Sequence, residues 1–124
     1  MHKKEIETVF SLPAQKRYEY FIKKVADYEE LWGLYDGRWA ISEDDKGNKL
    51  IPFWPKREFA ELSSIKEWSH YQPKKIDLEY FLSKWIPGMK RDGLKVSVFW
   101  NNKDSVMMET DRLLKDLEEE LENY

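Results

Sequence analysis

The chain has 124 residues, of which 36% are charged and none is cysteine, and its 21 basic and 24 acidic side chains give a formal net charge of -3. This length predicts a single domain, 1–124, whose core needs no disulfide or metal ion to hold it together. The absence of thiols excludes disulfide frameworks and thiolate metal sites. The near balance of charge argues against a nucleic-acid-binding protein, which is normally strongly basic.

No apolar stretch of the sequence is long enough to be a signal peptide or to span a membrane. We therefore expect a cytoplasmic protein without a membrane partner. Aromatic side chains are abundant instead, with six Trp, seven Tyr and six Phe. A domain of this size cannot easily bury so many large rings, so some of them are expected at a surface that meets another molecule.

Two helices are predicted at the start of the chain, over residues 3–10 and 14–28, because apolar residues recur there at intervals of three and four. Ser11 is the predicted N-cap of the second helix, and Pro13 lies close to its first turn, where a missing N–H group costs nothing.

Three strands are expected next. Residues 31–35 and 38–42 are rich in strand-forming residues and are joined by Asp36-Gly37, which favours a tight hairpin turn. Residues 49–53 form the third strand. Pro52 has no amide hydrogen to donate, so this strand is expected to lie at an edge or to end early.

The remaining elements alternate between helix and strand. A short helix is predicted over 56–63, followed by an irregular segment, 64–76. Asp77 is expected to cap a helix that ends near residue 90 and that Pro87 kinks or changes in geometry.

Residues 94–100 alternate cleanly between apolar and other side chains, which predicts a central strand. Residues 105–109 return as another strand, and Thr110 caps the last helix. The sequence thus predicts an α+β domain with a five-stranded, mainly antiparallel sheet covered by helices, principally those over 14–28 and 78–90.

Nearly the whole chain carries segments that occur together, in this order, in one known family. They are residues 11–27 (SLPAQKRYEYFIKKVAD), Trp32-Gly33-Leu34-Tyr35, Gly37, Trp39, Pro52-Phe53-Trp54-Pro55, Glu58-Phe59-Ala60, Leu82, Pro87-Gly88, Asp92-Gly93 and residues 113–121. On these, with Leu113-Leu114 and residues 116–121 as the matching part of the last segment, the chain resembles the bacterial DUF2750 family, a domain of unknown function. The resemblance implies a one-domain bacterial protein and implies no activity. Residues 49–62 and 95–117 are also similar to SseB-like domains, a likeness that supports the fold alone.

The sequence contains no recognisable catalytic, metal or phosphate motif. Its two histidines, His2 and His70, are far apart, and two histidines without cysteine cannot build the usual zinc sites. The acidic segment 43–48 lacks the ligand spacing of a calcium loop, so we interpret it as a polar hairpin turn. The five glycines are dispersed and form no phosphate-binding loop. We expect neither a metal ion nor a cofactor.

The predicted binding residues are aromatic side chains at strand ends and in loops, together with the one histidine among them. They are Tyr35, Trp54, Trp68, His70 and Tyr71. Two interpretations remain open. Trp54 and Trp68 either hold the irregular segment against the sheet, with their indole N–H groups bonded to the backbone, or belong to a groove for a peptide or a small ligand.

We expect from this a small, non-enzymatic binding or adaptor protein that recognises a protein or peptide through an aromatic groove. Two alternatives remain. The acidic C-terminal helix, in a region with three basic and eight acidic residues over 101–124, is compatible with an immunity-like protein that neutralises a toxin. A hydrolase with His70 as its general base, beside an acid, is the other.

Overall fold

The computed structural model describes residues 2–124. In chain order the elements are α1 (Lys3–Phe10), α2 (Ala14–Tyr28), β1 (Glu30–Tyr35), β2 (Ser42–Glu43), β3 (Lys49–Phe53), α3 (Arg57–Leu62), a 3₁₀ turn (Lys66–Trp68), β4 (Gln72–Asp77), α4 (Leu78–Tyr80), a π-helical segment (Phe81–Trp85), α5 (Ile86–Arg91), β5 (Lys95–Val98), β6 (Val106–Met108) and α6 (Thr110–Leu121).

The strands form two sheets, so the prediction of one five-stranded sheet is wrong, whereas the α+β class is confirmed. β1 and β4 make an antiparallel pair, and the other four strands lie in the order β2-β3-β5-β6. Three of the four strand pairs are antiparallel, and β3 and β5 run parallel. Trp32 and Trp54 exchange two backbone hydrogen bonds of 2.8 Å, which join the two sheets.

The strand β4 lies in the segment that was predicted to be irregular. Its sequence, QPKKID, is polar and contains Pro73, so local propensity does not indicate a strand. Pairing with β1 along its full length, from Glu30 opposite Asp77 to Tyr35 opposite Gln72, imposes the extended conformation. Tertiary contacts have overridden the local preference here.

The predicted hairpin over 31–42 forms only at its turn. Tyr35 and Trp39 make an isolated bridge, and Ser42 then joins a different partner, pairing with Leu50 in β3. β4 occupies one edge of β1, and Trp54 occupies the other edge at Trp32. The returning chain therefore has no room to extend the hairpin.

Two end-of-helix predictions also need correction. Ser11 is the C-cap of α1, where its hydroxyl donates to the carbonyl of Glu7 at 2.8 Å, and Pro13 occupies the N-cap position of α2. Thr110 is the first residue of α6 and Glu109 is its N-cap. The cap at Asp77 is confirmed, because its carboxylate accepts from the Tyr80 amide at 3.0 Å.

Pro52 lies in an interior strand, contrary to expectation, and the sheet accommodates it by a local gap. β3 pairs with both β2 and β5, but β2 faces only Lys49 and Leu50. Opposite Pro52, that side of β3 has no partner strand, so the missing N–H group costs no ladder hydrogen bond. β5 is a central strand, as predicted.

The helical stretch over α4, the π-helical segment and α5 changes geometry immediately before Pro87, the second residue of α5. Proline cannot continue the regular α-helical hydrogen bonds of the preceding turn, and a π turn is one way to absorb that defect. This confirms the predicted change in geometry near Pro87.

One face of the four-stranded sheet forms the core. Ile51 and Phe53 face the same way as their β5 partners Val96 and Val98, and all four are buried. The Phe53 ring meets Phe81 with centroids 5.0 Å apart. α6 packs against both α2 and α5. The helices therefore leave the other face, with Leu50, Ser97 and Met107, to line a separate site.

Candidate functional site

A cavity of about 260 Å³ opens on the face of the four-stranded sheet opposite Phe81. Leu50 of β3, Ser97 of β5 and Met107 of β6 contribute from the strands. We call this cavity the sheet groove; it is lined by residues 42–44 and 65–68 together with Leu50, Ser63, Ser97, Trp100, Asn102, Ser105 and Met107. Two walls, residues 63–68 and residues 100–105, rise beside the strands.

Hydrogen bonds tie the two walls of the sheet groove to each other. The carbonyl of Trp100 accepts from the indole Nε1 of Trp54 at 2.8 Å and from the hydroxyl of Ser63 at 3.3 Å. The amide of Asn102 donates to the carbonyl of Leu62 at 3.1 Å. Because these bonds hold the wall 100–105 against Ser63 and against the neighbouring residues Trp54 and Leu62, the cavity is already formed in the isolated chain.

The walls also contain an unusual backbone conformation. Only four non-glycine residues in 2–124 have a positive φ, and three of them, Lys66, Phe99 and Asn102, lie in or beside the walls. A side chain in this left-handed region costs roughly 1–2 kcal/mol. Such residues persist only where the surroundings hold them, and they concentrate at functional sites.

Hydroxyl groups line part of the sheet groove. The hydroxyls of Ser97 and Ser105 are 2.7 Å apart and share one hydrogen bond. Each hydroxyl carries one hydrogen, so a shared bond uses one of the two. No other acceptor for the second hydrogen is found among residues 2–124. The pair can therefore donate to an acceptor on a bound molecule.

The charge of the sheet groove is negative, with three carboxylates, Glu43, Asp44 and Glu67, against one ammonium group, Lys66. Hydrogen bonds from the side chain and backbone of Asn48 lower the pKa of Asp44 below its usual value, so this carboxylate is ionised at neutral pH. Lys95, which contributes to that lowering, forms an ion pair with Glu109 at 3.3 Å.

Exposed apolar side chains border the sheet groove. Ile65 and Met107 line it and are 43% and 56% exposed. Both are among the seven large apolar side chains that are exposed within residues 2–124. A concentration of apolar surface in one place is typical of interaction sites.

The structure brings Trp54, Trp68 and Tyr71 together. Trp54 is completely buried, so it supports the site from beneath and does not contact a ligand. Its ring meets that of Trp68 edge-on at 6.3 Å, and Trp68 lines the sheet groove. The Trp68 carbonyl accepts from the Tyr71 amide at 3.0 Å. The predicted backbone bond of the indole is confirmed for Trp54, and no such bond is found for Trp68 among residues 2–124.

The other two predicted binding residues lie outside the sheet groove. Tyr35 packs on Trp39 with ring centroids 4.9 Å apart, and the ammonium group of Lys74 lies 4.1 Å from its ring centre. His70 is exposed, and its imidazole has no hydrogen bond or ion pair with any residue of 2–124. A general base needs a group that orients it, and the hydrolase hypothesis gains no support from this arrangement.

Several residues of the sheet groove were not predicted to be functional, notably Leu50, Ser97, Ser105 and Met107. The alternation over 94–100 places Ser97 on the face opposite Val96 and Val98, a signal that could have been used. The groove itself could not be predicted, because it depends on the parallel pairing of β3 with β5. This pairing places Leu50 and Ser97 on the same face of the sheet.

The acidic helix α6 forms ion pairs within the chain. Asp111 pairs with Lys90 at 3.0 Å, and Arg112 pairs with Asp116 at 3.1 Å. Asp116 also accepts a hydrogen bond from the Tyr18 hydroxyl. These contacts neutralise part of the charge that the immunity-like alternative would use.

Among residues 2–124, no group of three or more His, Asp or Glu side chains could hold a metal ion. None of the described helices is both long enough and apolar enough to cross a bilayer.

Residues 18–117 match the family described as "Protein of unknown function (DUF2750)". The match spans well over half of the chain, so the protein belongs to the DUF2750 family. Comparison with curated proteins and with solved structures gave no match.

Proposed function

We propose that this DUF2750 protein is a non-enzymatic binding protein that holds a segment of a partner protein in the sheet groove. The observation that carries the proposal is the exposed apolar side chains, among them Ile65 and Met107, beside a preformed cavity. Exposed apolar surface around a concave site is the usual sign of a recognition site.

The size of the cavity is compatible with part of a macromolecular partner. Pockets that enclose a small ligand typically measure roughly 300–1,000 Å³, and the sheet groove, at about 260 Å³, lies near the lower end of that range. A cavity of this size would admit part of a bound segment. The rest of the bound molecule would then lie on the apolar border, where Ile65 and Met107 are exposed.

The rigidity of the walls supports binding without rearrangement. The bonds from Trp54 and Ser63 to the Trp100 carbonyl fix one wall on the other. A site that is ordered before binding loses less conformational entropy when it binds. We propose that this binding takes place in the bacterial cytoplasm; the chain has no cysteine, which suits a reducing compartment.

Site-specific photo-crosslinking tests this function. A photoreactive amino acid is placed at position 107 or, as the control, at position 80, because Met107 and Tyr80 are 56% and 57% exposed. Both proteins are produced in the native host and irradiated. We expect a defined protein adduct from position 107 only, and its loss when Ile65→Ser is added. No adduct from position 107, or the same adduct from position 80, would overturn the proposal.

A further inference from the structure

We propose that the segment held in the sheet groove is an extended peptide whose anchor is a basic side chain, lysine or arginine, flanked by apolar residues. This inference rests on the proposed function and specifies the chemistry of the partner. It follows from the charge of the groove, from the apolar surface beside that charge, and from the unused hydroxyl hydrogen of the serine pair.

The carboxylates of the sheet groove are available to a cation from outside the chain. Glu43 and Glu67 form no ion pair with any residue of 2–124. Asp44 is held in place by hydrogen bonds from the Lys46 and Asn48 amides, at 2.9 and 2.8 Å, and from the Asn48 side chain at 2.9 Å. Its hydrogen bonds come from neutral donors, and Lys95, which acts on it by charge alone, is itself paired with Glu109.

Other carboxylates of the protein differ in this respect. Asp104, Glu109 and Asp111, for example, each have a basic partner in the chain, at 2.6, 3.3 and 3.0 Å. Uncompensated negative charge around a cavity attracts positive groups and repels negative ones, which gives specificity as well as a faster encounter. A basic anchor therefore fits the groove, and an acidic one does not.

The apolar lining suits the aliphatic part of such an anchor. Lysine and arginine carry three or four methylene groups that cover apolar surface while the charged end remains near polar groups. Ile65, Trp100 and Met107 offer that surface. The face of an indole such as that of Trp100 also attracts a cation directly.

The serine pair favours a peptide over a free amine. Ser97 and Ser105 together retain one hydroxyl hydrogen that has no described acceptor. A peptide carbonyl beside the anchor can accept it, and a simple amine such as spermidine has no acceptor oxygen to offer. The backbone of the bound segment then lies near β5 and the turn that follows it.

Three matched peptides test the inference on the intact protein. Their sequences are acetyl-Gly-Leu-X-Leu-Gly-amide, where X is arginine, norleucine or glutamate, and binding is followed by amide chemical shifts in nuclear magnetic resonance. We expect the arginine peptide to shift signals of residues 65–68 and 97–107, and to bind at least tenfold more tightly than the glutamate peptide. Free arginine amide and spermidine are expected to bind more weakly than the arginine peptide.

A double variant identifies the carboxylates responsible. Glu43→Gln with Glu67→Gln should remove the preference for arginine, whereas Glu118→Gln with Glu119→Gln on α6 should keep it; all four residues are exposed.

Equal binding of the three peptides in the groove would overturn the basic anchor and leave the groove itself in place. Absence of any shift at these residues, or binding of spermidine as tight as that of the peptide, would also overturn it. Failure of the crosslink at position 107 is the separate result that would overturn the proposed function.

Discussion

The guanidinium of Arg17 donates from Nε to the carbonyl of Phe99 at 3.0 Å, across 82 positions of the sequence. Phe99 is the buried residue with a φ of 58° at the end of β5. Arg17, itself only 1% exposed, also donates to the carbonyls of Leu12 and Asp104. One buried side chain on α2 thus fixes the turn that becomes a wall of the sheet groove.

Replacement of Arg17 is expected to destabilise the protein strongly. Arg17→Met leaves the buried carbonyl of Phe99 and the partly buried carbonyl of Leu12 without their donor, which should cost roughly 3 kcal/mol of unfolding free energy. The contact with the Asp104 carboxylate adds little, since that side chain is 62% exposed.

Urea denaturation measures the effect, with Lys16→Met as the control. Lys16 is next to Arg17 in the chain, but its side chain is 64% exposed, so its replacement should change the free energy of unfolding by less than about 0.5 kcal/mol. Equal midpoints and slopes for the two variants would contradict the role given to Arg17.

Trp54 is expected to act as a structural support. Trp54→Phe removes the hydrogen bond to the Trp100 carbonyl and leaves a void in a fully buried position, so we expect a loss of about 2–3 kcal/mol. Trp32→Phe, at a partly exposed tryptophan, should cost clearly less. Thermal or urea unfolding gives both values, and a reversed order would be inconsistent with this account.

Two tyrosines of α2 should respond differently to the same substitution. Tyr18→Phe removes a hydrogen bond to the Asp116 carboxylate and should cost roughly 1.5–3 kcal/mol. The Tyr20 hydroxyl is buried and has no hydrogen-bond partner among residues 2–124, so Tyr20→Phe should be neutral or stabilise the protein by up to about 1 kcal/mol. A loss on Tyr20→Phe as large as that on Tyr18→Phe would show that the hydroxyl has a partner in solution.

Stability should also fall in alkaline solution. Burial is the main reason that the pKa of Tyr20 is raised to about 12 and that the pKa of Tyr18 is raised still further. Tyrosine in the unfolded chain ionises at about pH 10, so above that pH the unfolded chain loses protons that the folded chain keeps.

The stability due to these two groups is therefore complete below pH 10 and decreases as the pH rises from 10 towards 12 and beyond. Urea titrations between pH 8 and pH 12 should show this decrease, with a shallower slope for Tyr20→Phe. A free energy of unfolding that stays constant up to pH 12 would contradict the tyrosine assignment.

The helices and the central strand could be predicted because their signals are local. The spacing of apolar residues gives α2, and Asp77 caps the helical stretch that Pro87 disturbs. The strand β4 and the parallel pairing of β3 with β5 depend on partners far along the chain. The sequence of β4, QPKKID, has no alternation of apolar and polar residues that would predict a strand.

The candidate site was predicted only in part, for a related reason. The abundance of aromatic residues led to the prediction that Trp54 and Trp68 belong to the site. Trp54 supports the sheet groove from beneath, and Trp68 lines it. Leu50, Ser97 and Met107 are unremarkable residues in the sequence. They acquire a role because three different strands place them on the same face.

The most direct test of the central claim compares two double variants in their affinity for the crosslinked partner, once that partner has been purified. One variant changes exposed apolar side chains at the sheet groove, and the other changes exposed side chains elsewhere on the protein. Ile65→Ser with Met107→Ser alters the border of the sheet groove, and Tyr28→Ser with Tyr80→Ser alters comparably exposed side chains on α2 and α4. Loss of two apolar contacts should weaken binding at least tenfold, since each is worth roughly 1 kcal/mol or more. Titration calorimetry should give this loss for the first variant and less than a twofold change for the second. Unchanged affinity of the first variant, or an equal loss in both, would contradict the claim that the partner binds in the sheet groove.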